Sequence, residues 1–359
     1  MRYITEYRDR EAIRKLSKHL HAITRQEFTF MEVCGSHTMS VHRFGIHDLL
    51  PETIHLISGP GCPVCVTSID YIDKAVALAR IPNSIIATFG DLIKVPGSFS
   101  TLEKERAAGA DIRIVFSINE ALEMAVSNPD KEVVFLAIGF ETTTPPTAAG
   151  ILRAQAAQLK NFSILSAHKI MPPPMQALIE EGIPIDGFLA PGHVSTITGT
   201  AMYTFIPQKF GKGVVVSGFE PIDILQSVAM LVTQMQEGKP RVEIQYLRVV
   251  RPEGNVKAQQ LIDEVFEVTP ANWRGLGNLP DSALRLRPKY QHFDAEKKFT
   301  LVLDAPKEPK GCICGLILKG LRQPPQCPLF EKVCTPENPV GACMVSSEGA
   351  CNVFYRYKK

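Results

Sequence analysis

Eight short β-rich runs, each followed by a helical or turn segment, constrain the fold of this chain more than any other feature. They fall at 28–33, 54–58, 84–89, 112–116, 132–138, 162–166, 186–190 and 213–217. Runs of this length, rich in Val, Ile and Phe, read as buried strands. Strands that alternate with helices form parallel sheets covered on both faces. Before the first strand, Ile13, Leu16, Leu20 and Ile23 recur at helical spacing and predict an amphipathic helix over 9–24. Eight strands are enough to close a barrel, but the turn-forming Asn128-Pro129-Asp130 near the midpoint favours two open, doubly wound halves. Beyond Pro240 the alternation fades into a strand within 241–250, a helix over 254–266 and an irregular connector over 270–311. The expected fold class is therefore α/β: two doubly wound parallel-sheet domains at 1–130 and 131–255, and a C-terminal cysteine-rich region at 256–359. A chain of 359 residues is long enough for more than one core.

Open parallel sheets bind ligands beyond the carboxyl ends of their strands. In chain order those ends read CGSHT, SGPGCPVC, TFGDLIKVPGS, GFETTTPP, SAHKIMPPP, APGHVS and SGFEPID. Turn formation and helix capping explain any one of these loops. They do not explain why so many carry a histidine or an acid, so His37, Asp91, Glu141, His168, His193 and Glu220 are expected to share a cleft.

The nine cysteines form two systems. Six of them, Cys312, Cys314, Cys327, Cys334, Cys343 and Cys351, crowd into the tail among prolines. Only one close pair is present and the segment has no histidine, a pattern that favours an iron–sulfur cluster over a structural zinc site. Four ligands would leave two thiols over as a redox pair. Cys62-Pro63-Val64-Cys65 follows a strand and opens a helix that Thr67 or Ser68 is expected to cap. Both sulfurs then lie near a helix N-terminus, whose field lowers a thiol pKa, as suits a reversible dithiol. Cys34 stands alone beside His37 at a predicted helix start, where a thiolate with an imidazole neighbour could ligate a soft or borderline metal.

Composition narrows the function classes. Lys plus Arg number 39 and Asp plus Glu 37, so the basic footprint of a nucleic-acid binder is missing. No apolar run reaches bilayer length and the opening MRYITEYRDREAIRK is charged, so a cytoplasmic chain with no membrane partner is expected. An odd number of cysteines in a reducing compartment points to metal ligation or transient redox chemistry rather than structural disulfides.

Taken together, CGSHT (34–38), GPGCPVC (59–65), TFGD (88–91), GFETT (139–143), APGHVS (190–195), SGFEP (217–221) and CTPENPVGACMVSSEGAC (334–351) resemble the hydrogenase maturation factor HypD family from end to end. The resemblance implies a scaffold for assembling the Fe(CN)2CO moiety of [NiFe] hydrogenases. It also implies a HypC-type chaperone and a HypE-type cyanide donor as partners. Carried onto this sequence, it makes Cys34 the iron ligand, with His37 beside it, and Cys62 and Cys65 the central dithiol. Cys312, Cys327, Cys334 and Cys351 become ligands of a [4Fe–4S] cluster, with Cys314 the alternative to Cys312. Cys314 and Cys343 then form the second dithiol. The competing reading is a stand-alone cluster-dependent thiol–disulfide reductase, which has no use for an isolated cysteine beside a histidine. Whether any step is catalytic turnover is left open by the sequence.

Overall fold

A computed structural model describes residues 5–357. All eight expected strands are present, within a residue or two of their sequence bounds. They are β1 (Phe28–Glu32), β2 (Ile54–Ser58), β3 (Ser84–Thr88), β4 (Asp111–Ile114), β5 (Glu132–Gly139), β6 (Phe162–His168), β7 (Gly187–Pro191) and β8 (Gly213–Ser217). The strand expected within 241–250 is only β9 (Val242–Ile244), after which the chain leaves the sheet through turns. The leading helix α1 (Arg10–Ile23) is N-capped by the Asp9 carboxylate, which accepts from the Ala12 N–H at 2.8 Å.

Two wholly parallel sheets form, with strand orders β2-β1-β7-β8-β9 and β4-β3-β5-β6. This corrects the division at residue 130. The second sheet draws its strands from 84–168, between the β2 and β7 of the first, and residue 130 falls inside it. Hydrogen bonding between strands distant in sequence decides membership of a sheet, and a turn signal does not report it. Relabelled within its own sheet, the first order is a 2-1-3-4-5 winding and the second a 2-1-3-4 winding, so each reverses direction once: between β1 and β7, and between β3 and β5.

Both faces of each sheet are buried, as a parallel sheet requires. On β1, Phe28 and Phe30 pack with Leu20 of α1 and with Ile224 and Leu231 of the helix Pro221–Gln236. Met31 and Val33 face the other way, into a core that also holds Ile86 and Val134 of the second sheet and the tail cysteines. The tail is thus packed into a core shared by the two sheets.

The expected connector at 270–311 is also corrected. Its first part is an antiparallel hairpin of β10 (Phe266–Trp273) and β11 (Gly277–Leu286). Pro270 sits where the pairing register shifts, between Thr269 and Ala271. A proline that cannot donate to the ladder is accommodated at such a bulge, and it is the residue that made the segment read as irregular.

Candidate metal and thiol centre

The reversal point of the larger sheet places two motifs side by side. β1 runs out into Val33 and Cys34 and then α2 (Gly35–Arg43), while β7 runs out into Gly192 and His193. The reversal point of the second sheet presents Phe89 to Asp91 and Gly139 to Thr143. Between them lies a cavity of about 850 Å3, whose walls include Cys34, Ser36, Asp91, Thr143, His193 and Glu348. Two carboxyl-end crevices therefore open onto one chamber.

Cys34 occupies the N-cap position of α2 and is 8 % exposed. Burial, and then the nearby Glu348 carboxylate, push its thiol up to about 12, against the backbone N–H groups of Ser36 and His37 that favour the thiolate. At neutral pH it carries its proton. The loop that holds it touches the second motif at Gly61, where a Cβ would come within 2.2 Å of the Cys34 nitrogen and 2.4 Å of its Cα. The Gly35 N–H donates to the Gly61 carbonyl at 3.1 Å and locks the two loops together.

His37 is buried one helical turn from Cys34. Its Nε2 donates to the carbonyls of Gly218, at 3.0 Å, and Ser217, at 3.3 Å, which leaves Nδ1 as an acceptor with no partner. Burial pushes it down to about 4, so it is a neutral imidazole. Its ring stacks on Phe219, and the other stacked neighbour of Phe219 is the His193 ring.

Of the six residues expected to share the cleft, Asp91 and His193 line the cavity and four do not. His37 is turned toward the carbonyls at the end of β8, and Glu220 is engaged by the Arg8 guanidinium. Glu141 accepts from the Met171 N–H at 3.0 Å, and burial pushes it up to about 7. His168 is buried edge-on to Phe266 with neither ring nitrogen partnered, and burial pushes it down to about 4. A side chain leaving a strand end can turn into the core as readily as into the crevice, and sequence position does not separate the two.

Sequence reasoning missed Glu348. It reaches the cavity from the tail, accepts a hydrogen bond from the Ser36 hydroxyl and lies against Gly35. An acid between two cysteines of the tail was the available signal.

The CPVC segment departs from the expectation in two respects. It forms its own single turn, α3 (Pro63–Val66), with Cys62 at the N-cap and its sulfur accepting from the Cys65 N–H at 3.3 Å. Thr67 ends that turn, and Ser68 stands at the N-cap of the next helix, α4 (Ile69–Ala79), without a side-chain capping bond. The Cys65 thiol is raised, not lowered. Complete burial comes first, and hydrogen bonds to Cys343 and Cys62 add to it. One turn of helix has too little dipole to offset desolvation in a dry core.

The tail brings its thiols to this same place. The short turn Ala342–Met344 packs against α3, and the C-terminal helix Ala350–Tyr357 packs on α2. Cys343 is hydrogen-bonded to the thiols of Cys314, Cys351 and Cys65, and their donation lowers it well below an ordinary thiol. Cys312 is in turn bonded to Cys314, which raises it. The thiols of Cys62, Cys65, Cys343, Cys314 and Cys312 thus act on one another in turn. All nine cysteines are free.

Among the described residues no three His, Cys, Asp or Glu side chains converge on a single ion. The tail thiols are spread instead around a narrow cavity lined by Cys312, Cys314, Cys327, Cys334 and Cys351, with Ile317, Leu329, Phe330 and Met344 as apolar walls. A donor set made only of sulfur in an apolar frame suits a thiolate-ligated metal centre and not a hard cation. Cys343 is the one tail cysteine that does not line this cavity.

A paired α/β architecture aims two reversal points at one chamber and packs clustered cysteines behind it. The comparisons with known proteins make this specific. The family model HypD, described as "Hydrogenase formation hypA family", matches residues 11–358. The chain is similar to hydrogenase maturation factor HypD of Rhizobium leguminosarum bv. viciae, with 49 % identity over 99 % of this chain and 96 % of the relative. It is 47 % identical to HypD of Cupriavidus necator, over 99 % and 97 %. It is 46 % identical to a putative hydrogenase expression/formation protein of Methanocaldococcus jannaschii, over 98 % and 97 %. The chain belongs to the HypD family, and its role lies in hydrogenase maturation. Among the described residues no helix is long and apolar enough to cross a membrane.

Proposed function

We propose that the chain is the scaffold on which the Fe(CN)2CO unit of [NiFe] hydrogenases is built, with Cys34 as its ligand to the iron it carries. What supports this most is the position of Cys34, on the wall of a chamber of about 850 Å3 that both sheets face, beside a loop carrying a dithiol. The iron is cargo. Its binding displaces the Cys34 proton, and the Glu348 carboxylate on the same wall brings negative charge toward a bound cation. His37, fixed by the Ser217 and Gly218 carbonyls at the end of β8, orients α2 and the loop that presents Cys34.

The cavity rim supports a protein partner, here of the HypC type, with cyanide brought by a HypE-type donor. Phe116 is 88 % exposed and Ile114 47 % exposed at the mouth, more apolar surface than a rim facing only water would carry.

The tail thiols would hold a [4Fe–4S] cluster through Cys312, Cys327, Cys334 and Cys351, which supplies electrons singly. Cys312 and Cys314 both line that cavity, but Cys314 is the one bonded to Cys343, which supports Cys312 as the ligand and Cys314 with Cys343 as the dithiol. The reductase reading accounts for the interacting thiols and leaves the Cys34 chamber without a task. Infrared spectra of the chain purified with its small partner test the scaffold. Bands of metal-bound cyanide and CO are expected, and Cys34→Ala should lose them while keeping its thermal stability. Bands that persist in Cys34→Ala would remove Cys34 as the ligand.

A further inference from the structure

Arg274 is a buried cation placed between the two cysteine systems. It is 4 % exposed. Its backbone N–H donates to the Val66 carbonyl at 2.9 Å and its Nε to the Thr67 carbonyl at 2.9 Å, the two carbonyls that follow Cys65. The hairpin tip that carries it meets the tail just as closely on the other side. A Cβ on Gly275 would lie 2.4 Å from the Cα of Gly315, the residue after Cys314. That approach sets Arg274 beside the Cys312–Cys314 segment, where its charge favours a thiolate at Cys312. Among the described residues its one carboxylate neighbour is Glu308, at 3.8 Å from Nη1 and 65 % exposed, while Nη2 is buried with no partner. A buried guanidinium with a nitrogen to spare and only a solvated counter-charge is costly unless a further anion sits near it.

We propose that this anion is the thiolate-ligated centre of the tail, and that Arg274 is a positioning residue which stabilises the centre's negative charge and holds its reduction potential up. The inference rests on the reading of the tail as a cluster site. Four thiolates give such a cluster net negative charge, and reduction adds one electron more. A fixed cation in a dry surround stabilises the reduced form over the oxidised one. Because the same side chain is anchored on the Thr67 carbonyl, and its backbone on that of Val66, Arg274 also holds the CPVC turn against the tail, so the two elements keep their separation as the charge changes.

The test compares Arg274→Gln and Arg274→Lys with the unaltered chain, reconstituted with iron and sulfide. Three readouts are taken: iron content, the midpoint of a redox titration followed by visible absorption, and the thermal midpoint of the metal-free protein. We expect Arg274→Gln to shift the redox midpoint downward and Arg274→Lys to stay near the unaltered value. Loss of the cluster from Arg274→Gln alone, with metal-free melting unchanged, supports the same conclusion by a stronger effect. An unshifted midpoint in Arg274→Gln at full iron content overturns the inference. So does equal damage by Gln and Lys to metal-free stability, which would make Arg274 a packing residue. If the unaltered chain takes up no iron and sulfide, the cluster reading itself fails and the inference falls with it.

Discussion

Burial decides the chemistry of individual groups here more than neighbouring charge does. Cys34, His37 and His168 are all held in their neutral forms by desolvation, and so is Glu141 over much of the neutral range. Their residue types were legible in the sequence, but their protonation was not, since the sequence placed Cys65 beside a helix dipole and the packing raised its thiol instead. Glu141 gives a prediction with a definite sign. Its carboxyl is raised from an ordinary 4.5 to about 7, so between those values the folded chain binds more protons there than the unfolded chain. Its contribution favours folding below the lower value and is lost as pH rises through about 7. His168, pushed down to about 4, acts oppositely between that value and 6.5, so the wild-type curve alone does not isolate either group. Glu141→Gln keeps the acceptor for the Met171 N–H and removes the titration. Its unfolding free energy should match wild type near pH 4 and exceed it at pH 8, by at most about 3 kcal/mol. A stability difference that stays the same at both pH values would show that Glu141 does not titrate with folding.

At the level of elements, the strands were readable because a parallel strand buried on both faces is a short apolar run between turn residues, as in the fully buried β3 and β7. The hairpin was not. Between its buried ends, Phe266–Trp273 only alternates half-buried with exposed residues and includes Pro270, and Gly275 and Gly277 make its turn resemble a linker. Loop-to-loop fit lay wholly beyond the sequence. GPGCPVC reads as a turn followed by a dithiol, yet Gly61 is also required because the backbone of Cys34 occupies the place of its side chain. Gly61→Ala should therefore push apart the two loops that carry Cys34 and Cys62, since backbone cannot yield as a side-chain tip can. We expect a loss of about 2 kcal/mol or more in denaturant unfolding and loss of iron retention. Gly90→Ala on the opposite cavity wall is the control. Its nearest neighbour is 3.8 Å away, and it should melt within about 0.5 kcal/mol of wild type. Equal behaviour of the two variants would show that the close approach at Gly61 carries no weight.

For the whole molecule, inserting one winding into the other is what makes a single site from distant segments. Because the second sheet leaves after β2 and the chain returns at β7, both reversal points end up on one chamber, and the tail returns to fill the core behind it. The sequence told the two cysteine systems apart but not that they touch, since about 280 residues separate Cys65 from Cys343 and their contact depends on docking the Ala342–Met344 turn against α3. With the dithiol roles proposed above, that contact predicts an order for thiol exchange. Cys343, lowered by its three thiol neighbours, is the thiolate best placed to attack the Cys65 sulfur of an oxidised Cys62–Cys65 pair, forming a Cys65–Cys343 disulfide and releasing Cys62 as thiolate. Cys314 then attacks the Cys343 sulfur, releasing Cys65, so that two electrons pass to the central pair and the tail pair becomes the disulfide. Serine at position 314 removes the second step alone. Cys314→Ser, mildly oxidised, alkylated and digested, should accumulate a peptide pair linked through Cys65 and Cys343, several-fold above wild type. A pair linked through Cys62 and Cys343 would reverse the order within CPVC, and the absence of any link between the two segments would show that their thiols do not exchange.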